Sequence, residues 1–304
     1  MRKALPTAEA LWRLRRIGAS IFPVGSVTVD GGTSISYAAV GSGPAIVLHP
    51  GLSFSGAVFP LCIVDPLVRA GHTVIAIDPR DTGRSSRYAG PAVDLMRVVG
   101  GDIAAAPYTI ADMASDALAV LDSLGIDSAV FVGHSMGGSV VAAIQAMAPQ
   151  RVAGLVLFSS APGFGAGPTP EQLELFIRDV PKGRAGAIGW LMDLSRWAMR
   201  SHWDEVTGHA TAELLVDEHG WWGVPVTHLT AGIAGTPGIA PMAPDEESTL
   251  IVFGDEDDQA QAIRRLAASL RGAAVVEIEG CGHWFPEPGP WQQIAEAILR
   301  VADA

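Results

Sequence analysis

A chain of 304 residues that is 49% hydrophobic carries ample apolar surface for a large core, which excludes intrinsic disorder. Its 32 acidic and 20 basic residues leave a formal charge of −12, so it has no electrostatic footprint for nucleic acid. Two cysteines, Cys62 and Cys281, are too few for a disulfide framework, and a reducing, cytoplasmic compartment is expected.

The first 23 residues begin with the basic residues of a signal peptide. Glu9 and the Arg13, Arg15, Arg16 cluster interrupt any apolar run, so a short amphipathic helix packed on the body is expected instead. Val24–Asp30 and Thr33–Val40 alternate around Gly31-Gly32 as a hairpin should. Ala45–Leu48 and Val74–Ile77 are short and β-branched, suited to strands buried on both faces, with a helix between them from Phe59 to Ala70. Ile110–Leu124 has helical apolar spacing and is stopped by Gly125. Strand Ala129–Val132, helix Gly138–Ala148 and strand Val152–Phe158 follow. Ser128 to Gln150 carries no formal charge and is long enough to span a bilayer. The Gly133-His134-Ser135-Met136-Gly137-Gly138 run at its centre breaks it into strand, turn and helix, so no stable membrane insertion is expected.

Strands alternating with helices imply βαβ units, right-handed crossovers and a mostly parallel sheet, the α/β class. After Ser160 the rhythm stops. Residues 163–247 are rich in Gly, Pro, Trp and Met, with helical periodicity near Glu171–Asp179 and Ala187–Trp203. Strand Thr249–Phe253, helix Gln259–Leu270, strand Ala274–Ile278 and helix Trp291–Val301 then complete the pattern. The expected organisation is one core, 1–162 and 248–304, carrying a helical cap insertion at 163–247.

The chemistry concentrates at Gly133-x-Ser135-x-Gly137, between a strand and a helix. A serine on so sharp a turn needs small neighbours, and the helix N-terminus behind it favours a developing anion. A serine hydroxyl also needs a base. Of the eight histidines, His283 in Gly280-Cys281-Gly282-His283-Trp284 follows the last strand and reaches the sheet edge where Ser135 emerges. His134 should point away from the serine, while His202, His209, His219 and His228 are expected at the surface or lining the pocket. A carboxylate must fix the base's tautomer. Asp255, Glu256, Asp257 and Asp258 all follow Phe253-Gly254, and physics alone does not separate them.

The order Ser…Asp…His, each at a strand's carboxyl end, resembles the α/β-hydrolase superfamily. Further motifs carry the likeness: His49-Pro50-Gly51, the Gly71–Asp78 strand and Gly254–Asp257. The resemblance implies an α/β-hydrolase fold and a triad of Ser135, His283 and Asp257, since the family's acid stands three residues after its strand-ending glycine. It implies an oxyanion hole built from the Met136 N–H and a second one after His49. Pro50 replaces the family's usual glycine and has no N–H, which leaves Leu52 or Gly51. A serine at the elbow disfavours haloalkane dehalogenases and epoxide hydrolases, which carry aspartate there.

Arg80-Asp81-Thr82-Gly83-Arg84-Ser85 is similar to the run in anthracycline (aclacinomycin-type) methyl esterases of polyketide tailoring. The resemblance implies an ester of an apolar small molecule. The same triad also serves lyases, cyclases and cofactor-free perhydrolases or haloperoxidases, the alternative chemistry. Five of the eight tryptophans lie in the insertion. Trp190, Trp197, Trp221 and Trp222, with Trp284 and His49, are candidate pocket residues. No metal-ligand spacing or phosphate-cradling loop is present, so no cofactor is expected. The sequence does not settle the oligomeric state.

Overall fold

The computed structural model describes residues 24–162, 170–178, 180–217, 220–221, 223–235, 248–270, 272–285 and 289–303. Within them run strands β1 (Val24–Thr28), β2 (Ser34–Gly41), β3 (Ala45–His49), β4 (Thr73–Asp78), β5 (Ala129–His134), β6 (Val152–Phe158), β7 (Thr249–Gly254) and β8 (Ala274–Ile278). They form one sheet in the order β1-β2-β4-β3-β5-β6-β7-β8. The β1–β2 and β2–β4 pairs are antiparallel and all the others parallel. β3 and β5 are buried along their whole length, as their unbroken apolar runs require.

The connecting helices are α1 (Leu61–Arg69), α2 (Leu95–Val99), α3 (Ile110–Leu124) and α4 (Met136–Met147). Between β6 and β7 lie α5 (Pro170–Ile177), α6 (Arg184–Met199), α7 (Glu205–Asp217) and α8 (Val226–Ala234), and the fold closes with α9 (Ala260–Ser269) and α10 (Trp291–Ala302). Two apolar clusters cover the two faces of the sheet. One contains Phe131, Val140 and Ile144 against α3 and α9; the other contains α1, α10 and the inner residues of α6. The β6–β7 segment therefore shares its apolar packing with the core, through Ile188, Trp190, Leu191 and Leu194.

Most expected elements match to within a residue or two, and α3, β6 and β8 have the expected bounds at both ends. Helix α3 starts on a Thr109–Asp112 capping box and stops at Gly125, whose φ of 67° is the left-handed conformation glycine accepts at no cost. Helix α4 departs from expectation. It starts at Met136, two residues before the expected Gly138, because the glycines that weaken its helical signal are demanded by packing. A Cβ on Gly137 would collide with the His49 and Pro50 carbonyl oxygens, and one on Gly138 with the Ser160 side chain. Helices α2, α7 and α8 have no clear periodic signal: α2 has five residues, and α7 and α8 mix apolar positions with Thr, Gly and His. The expected N-terminal helix lies outside the described residues, as do 163–169, 179, 218–219, 222 and 236–247 of the expected cap. Among the described residues, no helix is long and apolar enough to cross a membrane.

Candidate active site

Ser135 joins β5 to α4 with φ 53° and ψ −119°, a conformation that non-glycine residues rarely hold. The strain is held in place by bonds on both sides. The Ser135 N–H donates to Phe158 O at 2.9 Å, and Ser160 Oγ donates to Ser135 O at 2.7 Å. The next strand thus clamps the turn, and the sharp bend leaves the Ser135 side chain at the carboxyl edge of the sheet.

His283, in the loop after β8, sets its Nε2 2.8 Å from Ser135 Oγ. Its Nδ1 lies 3.0 and 3.1 Å from the two carboxylate oxygens of Asp257, in the loop after β7. All three residues therefore meet, although 148 positions separate Ser135 from His283. Burial alone would push the Asp257 pKa up. The neighbouring His283, with hydrogen bonds from it and from the Gln259 N–H, brings it below the ordinary carboxylate value. An ionised acid at Nδ1 fixes the imidazole with Nδ1–H toward Asp257 and a basic Nε2 toward the serine.

The other three acids of the loop have different partners. Asp255 accepts the Gly280 N–H at 2.7 Å, Glu256 accepts from Ser201, and Asp258 pairs with Arg200 and accepts the Trp197 indole N–H at 3.1 Å. The end of α6 is thereby tied to both loops that carry His283 and Asp257. Ala198 O accepts the Trp284 N–H at 3.0 Å, completing the tie.

His134 turns into the interior, as expected. Its Nε2–H donates to His283 O at 3.0 Å, its ring contacts Phe158 and Trp284, and burial lowers its pKa to about 3. It is a neutral support beneath the His283 loop.

The turn after β3 abuts Ser135. A Cβ on Gly51 would lie 3.1 Å from Ser135 Cβ, so this position admits only glycine without displacement. Gly51 O accepts the Phe54 N–H at 3.3 Å, closing a turn with Leu52 and Ser53 at its centre. The Ser53 N–H is already committed to His228. Among the described residues, the Leu52 and Met136 N–H groups have no hydrogen-bond acceptor within the protein. His49, one of the pocket candidates, is buried, with Nδ1 at 3.1 Å from Pro50 O; burial lowers its pKa to about 4.

The tryptophans divide. Trp197 lies over the imidazole of His283, ring centroids 5.4 Å apart, and Trp284 packs on His134 and Phe158. Trp190 is 1% exposed and packs against Trp221 with tilted rings, centroids 4.9 Å apart, inside the apolar packing. Trp222 and His219 lie outside the described residues. His202 and His209 are exposed, as expected, but His228 is fully buried between two loops of the core. Its sequence neighbours Thr227 and Thr230 are also polar, so no apolar pattern announces a buried helix face there.

The Arg80–Ser85 run forms the loop after β4. Arg80 makes a two-pronged ion pair with Asp116 of α3, at 2.6 and 2.7 Å, and its guanidinium lies 4.8 Å from the Tyr108 ring. Asp81, at φ 68°, accepts from the Tyr88 N–H and from the Tyr108 and Thr227 hydroxyls. This loop is architectural: it ties the sheet edge to α3 and α8. No cluster of His, Cys, Asp and Glu able to hold a metal occurs among the described residues.

Comparison with known proteins agrees with this fold. Residues 44–200 match the model of the alpha/beta hydrolase fold family. The chain is 28% identical over 266 residues to rhodomycin D methylesterase DauP of Streptomyces sp. (strain C5), covering 79% of this chain and 85% of that one. Among solved structures it is similar to Est816, described as an N-acyl homoserine lactone degrading enzyme, with TM-score 0.64 and 27% identity over 90% of this chain and 98% of that one. A bromoperoxidase from Bacillus anthracis superposes with TM-score 0.68 at 21% identity, over 93% and 100% of the two chains, and shares the fold. With the strand order, the serine on its strained turn and a family match across more than half its length, the chain belongs to the alpha/beta hydrolase fold family.

Proposed function

We propose that this chain is a carboxylic ester hydrolase that works through an acyl-enzyme on Ser135. The observation that carries the reading is the 2.8 Å approach of His283 Nε2 to Ser135 Oγ, with Asp257 behind Nδ1. His283 takes the hydroxyl proton as Ser135 Oγ attacks the ester carbonyl, and Asp257 stabilises the resulting imidazolium. The Met136 N–H, at the start of α4, and the Leu52 N–H (or Gly51) receive the oxyanion. His283 then returns the proton to the departing alcohol. A water molecule, deprotonated by the same imidazole, releases the acid and restores Ser135.

The substrate we infer is a methyl or other small ester on an apolar, aromatic molecule. The likeness to a rhodomycin D methylesterase over most of both chains supports this class, as does the Trp197 ring beside His283. Secondary-metabolite tailoring is the setting that fits it. In the same reading, 163–247 caps the site, and its apolar contacts with the core supply a dry surface for a flat acyl group.

A panel of aromatic methyl esters and p-nitrophenyl esters, turned over in oxygen-18 water, tests the reading. One labelled oxygen in each carboxylate product is expected, with turnover abolished in Ser135→Ala. Unlabelled or rearranged product would instead assign a non-hydrolytic reaction to the same residues.

A further inference from the structure

His228 is a buried histidine that the proposed reaction does not use. It sits on α8, in the segment between β6 and β7, and is 0% exposed. Its two ring nitrogens have different jobs. Nε2–H donates to Arg80 O at 2.7 Å, and Nδ1 accepts the Ser53 N–H at 3.2 Å. An imidazole that donates through one nitrogen and accepts through the other has one neutral tautomer, so both bonds depend on it.

Ser53 is the residue this tautomer holds. It occupies the third position of the Gly51–Phe54 turn with φ 68°, a type II arrangement that favours glycine or asparagine there. A serine left to itself prefers the negative-φ turn, reached by flipping the Leu52–Ser53 peptide. His228 Nδ1 opposes that flip by binding the N–H that the flip would turn away. The Trp221 indole N–H, 3.5 Å from Ser53 Oγ, adds a second hold from the same segment.

Helix α8 reaches the other side of the site too. Gly232 stands beside the Met136 side chain, whose Sδ would lie at ordinary contact distance, 3.8 Å, from a Cβ placed there. Thr227 Oγ1 donates to Asp81 Oδ2 at 2.6 Å, fixing the helix to the loop that also supplies the Arg80 carbonyl. One helix thus lies close to both residues proposed as oxyanion donors: Gly232 stands beside the Met136 side chain, and His228 reaches Leu52 through Ser53.

We propose that His228 is a positioning residue for the oxyanion hole: by holding the Ser53 N–H it sets the Leu52 turn against Ser135. The inference rests on the ester-hydrolase reading and deepens it, since it gives α8 a part in transition-state binding. Losing the Nδ1 acceptor frees the turn to relax, which blurs a donor that acts only on the developing anion.

The test uses the full chain with a short aromatic p-nitrophenyl ester and an aryl trifluoromethyl ketone, which forms an anionic adduct on a serine. In His228→Leu we expect kcat to fall about 30- to 100-fold with KM within threefold, and ketone affinity to weaken by the same factor. His228→Asn, whose Oδ1 stands near the Nδ1 position, should recover at least tenfold over His228→Leu. Adding Ser53→Gly to His228→Leu should also recover at least tenfold, because glycine holds φ 68° without support. Should His228→Leu not fold, His228→Asn against His228→Gln decides the same point, with the asparagine variant faster. Unchanged kcat, a loss confined to KM, or asparagine and glycine variants no better than their parents overturn the proposal. Turnover surviving in Ser135→Ala would instead overturn the hydrolase reading beneath it.

Discussion

Asp257 and Asp258 are adjacent in sequence yet serve opposite sides of their loop. Asp257 faces His283 Nδ1 at 3.0 Å, whereas Asp258 turns to Arg200 and the Trp197 indole. The difference follows from packing. Asp257 is buried beneath the His283 loop and receives the Gln259 N–H at 2.9 Å, which locks its rotamer; Asp258 stands at the rim, where the end of α6 arrives.

That division predicts unequal mutants. Asp257→Asn should lower kcat by about 10³- to 10⁴-fold, because the amide favours the wrong imidazole tautomer. Asp255→Asn should cost less than tenfold in kcat, and Asp258→Asn likewise, its effect falling on Trp197 and hence on KM. Steady-state kinetics of the three variants on one p-nitrophenyl ester distinguishes them. A comparable kcat loss in Asp258→Asn would contradict the assignment.

The glycines around the elbow should fail in different ways. In Gly51→Ala the new methyl meets Ser135 Cβ and His134 Nδ1 at 3.1 Å, tight but short of a backbone collision. A folded protein with at least tenfold lower kcat is expected. In Gly137→Ala the methyl drives into the His49 and Pro50 carbonyls, which cannot yield without moving β3. A loss of about 2–3 kcal/mol in urea unfolding is expected for Gly137→Ala, and a markedly smaller one for Gly51→Ala.

The Arg80–Asp116 pair gives a stability prediction separate from catalysis. Both side chains are largely buried, at 17% and 4% exposure, so removing one partner strands a charge. Arg80→Met should destabilise the fold by about 3 kcal/mol in chemical denaturation, while Arg80→Met combined with Asp116→Leu should recover a good part of that loss. An Arg80→Met protein as stable as the parent would rule the pair out as a structural tie.

Stability should also depend on pH through the buried histidines. His228 has its pKa lowered by burial to about 4, so between that value and the ordinary 6.5 the unfolded chain binds a proton that the folded chain refuses. The folded state is therefore fully favoured above pH 6.5 and loses ground as pH falls toward 4. His49 and His134 act in the same direction. Because asparagine does not titrate, the slope of unfolding free energy against pH in this window should be shallower in His228→Asn. The difference approaches one proton, about 1.4 kcal/mol per pH unit. Identical slopes would show that His228 titrates normally.

The sequence carried the fold where burial is two-sided or capping is explicit. The unbroken apolar runs of β3, β5 and β6 and the Thr109–Gly125 frame of α3 left little latitude. It also marked Ser135, because a serine flanked by glycines between a buried strand and a helix start fits the sharp turn that exposes a nucleophile. The choice among four neighbouring acids came from family resemblance, not physics, since only packing separates Asp257 from Asp258. His228 escaped notice for a different reason: its meaning lies in two backbone groups, Ser53 N–H and Arg80 O, that are 175 and 148 residues away. Contacts of that range leave no periodic trace in a sequence.

The most direct measurement is the site of covalent attachment. The protein is treated with a fluorophosphonate, digested and mapped by mass spectrometry, in the parent and in Ser135→Ala. A single adduct on the peptide containing Ser135 is expected, absent from the variant together with all esterase turnover. An adduct on another residue, or turnover persisting in Ser135→Ala, would contradict the assignment of Ser135 as the nucleophile.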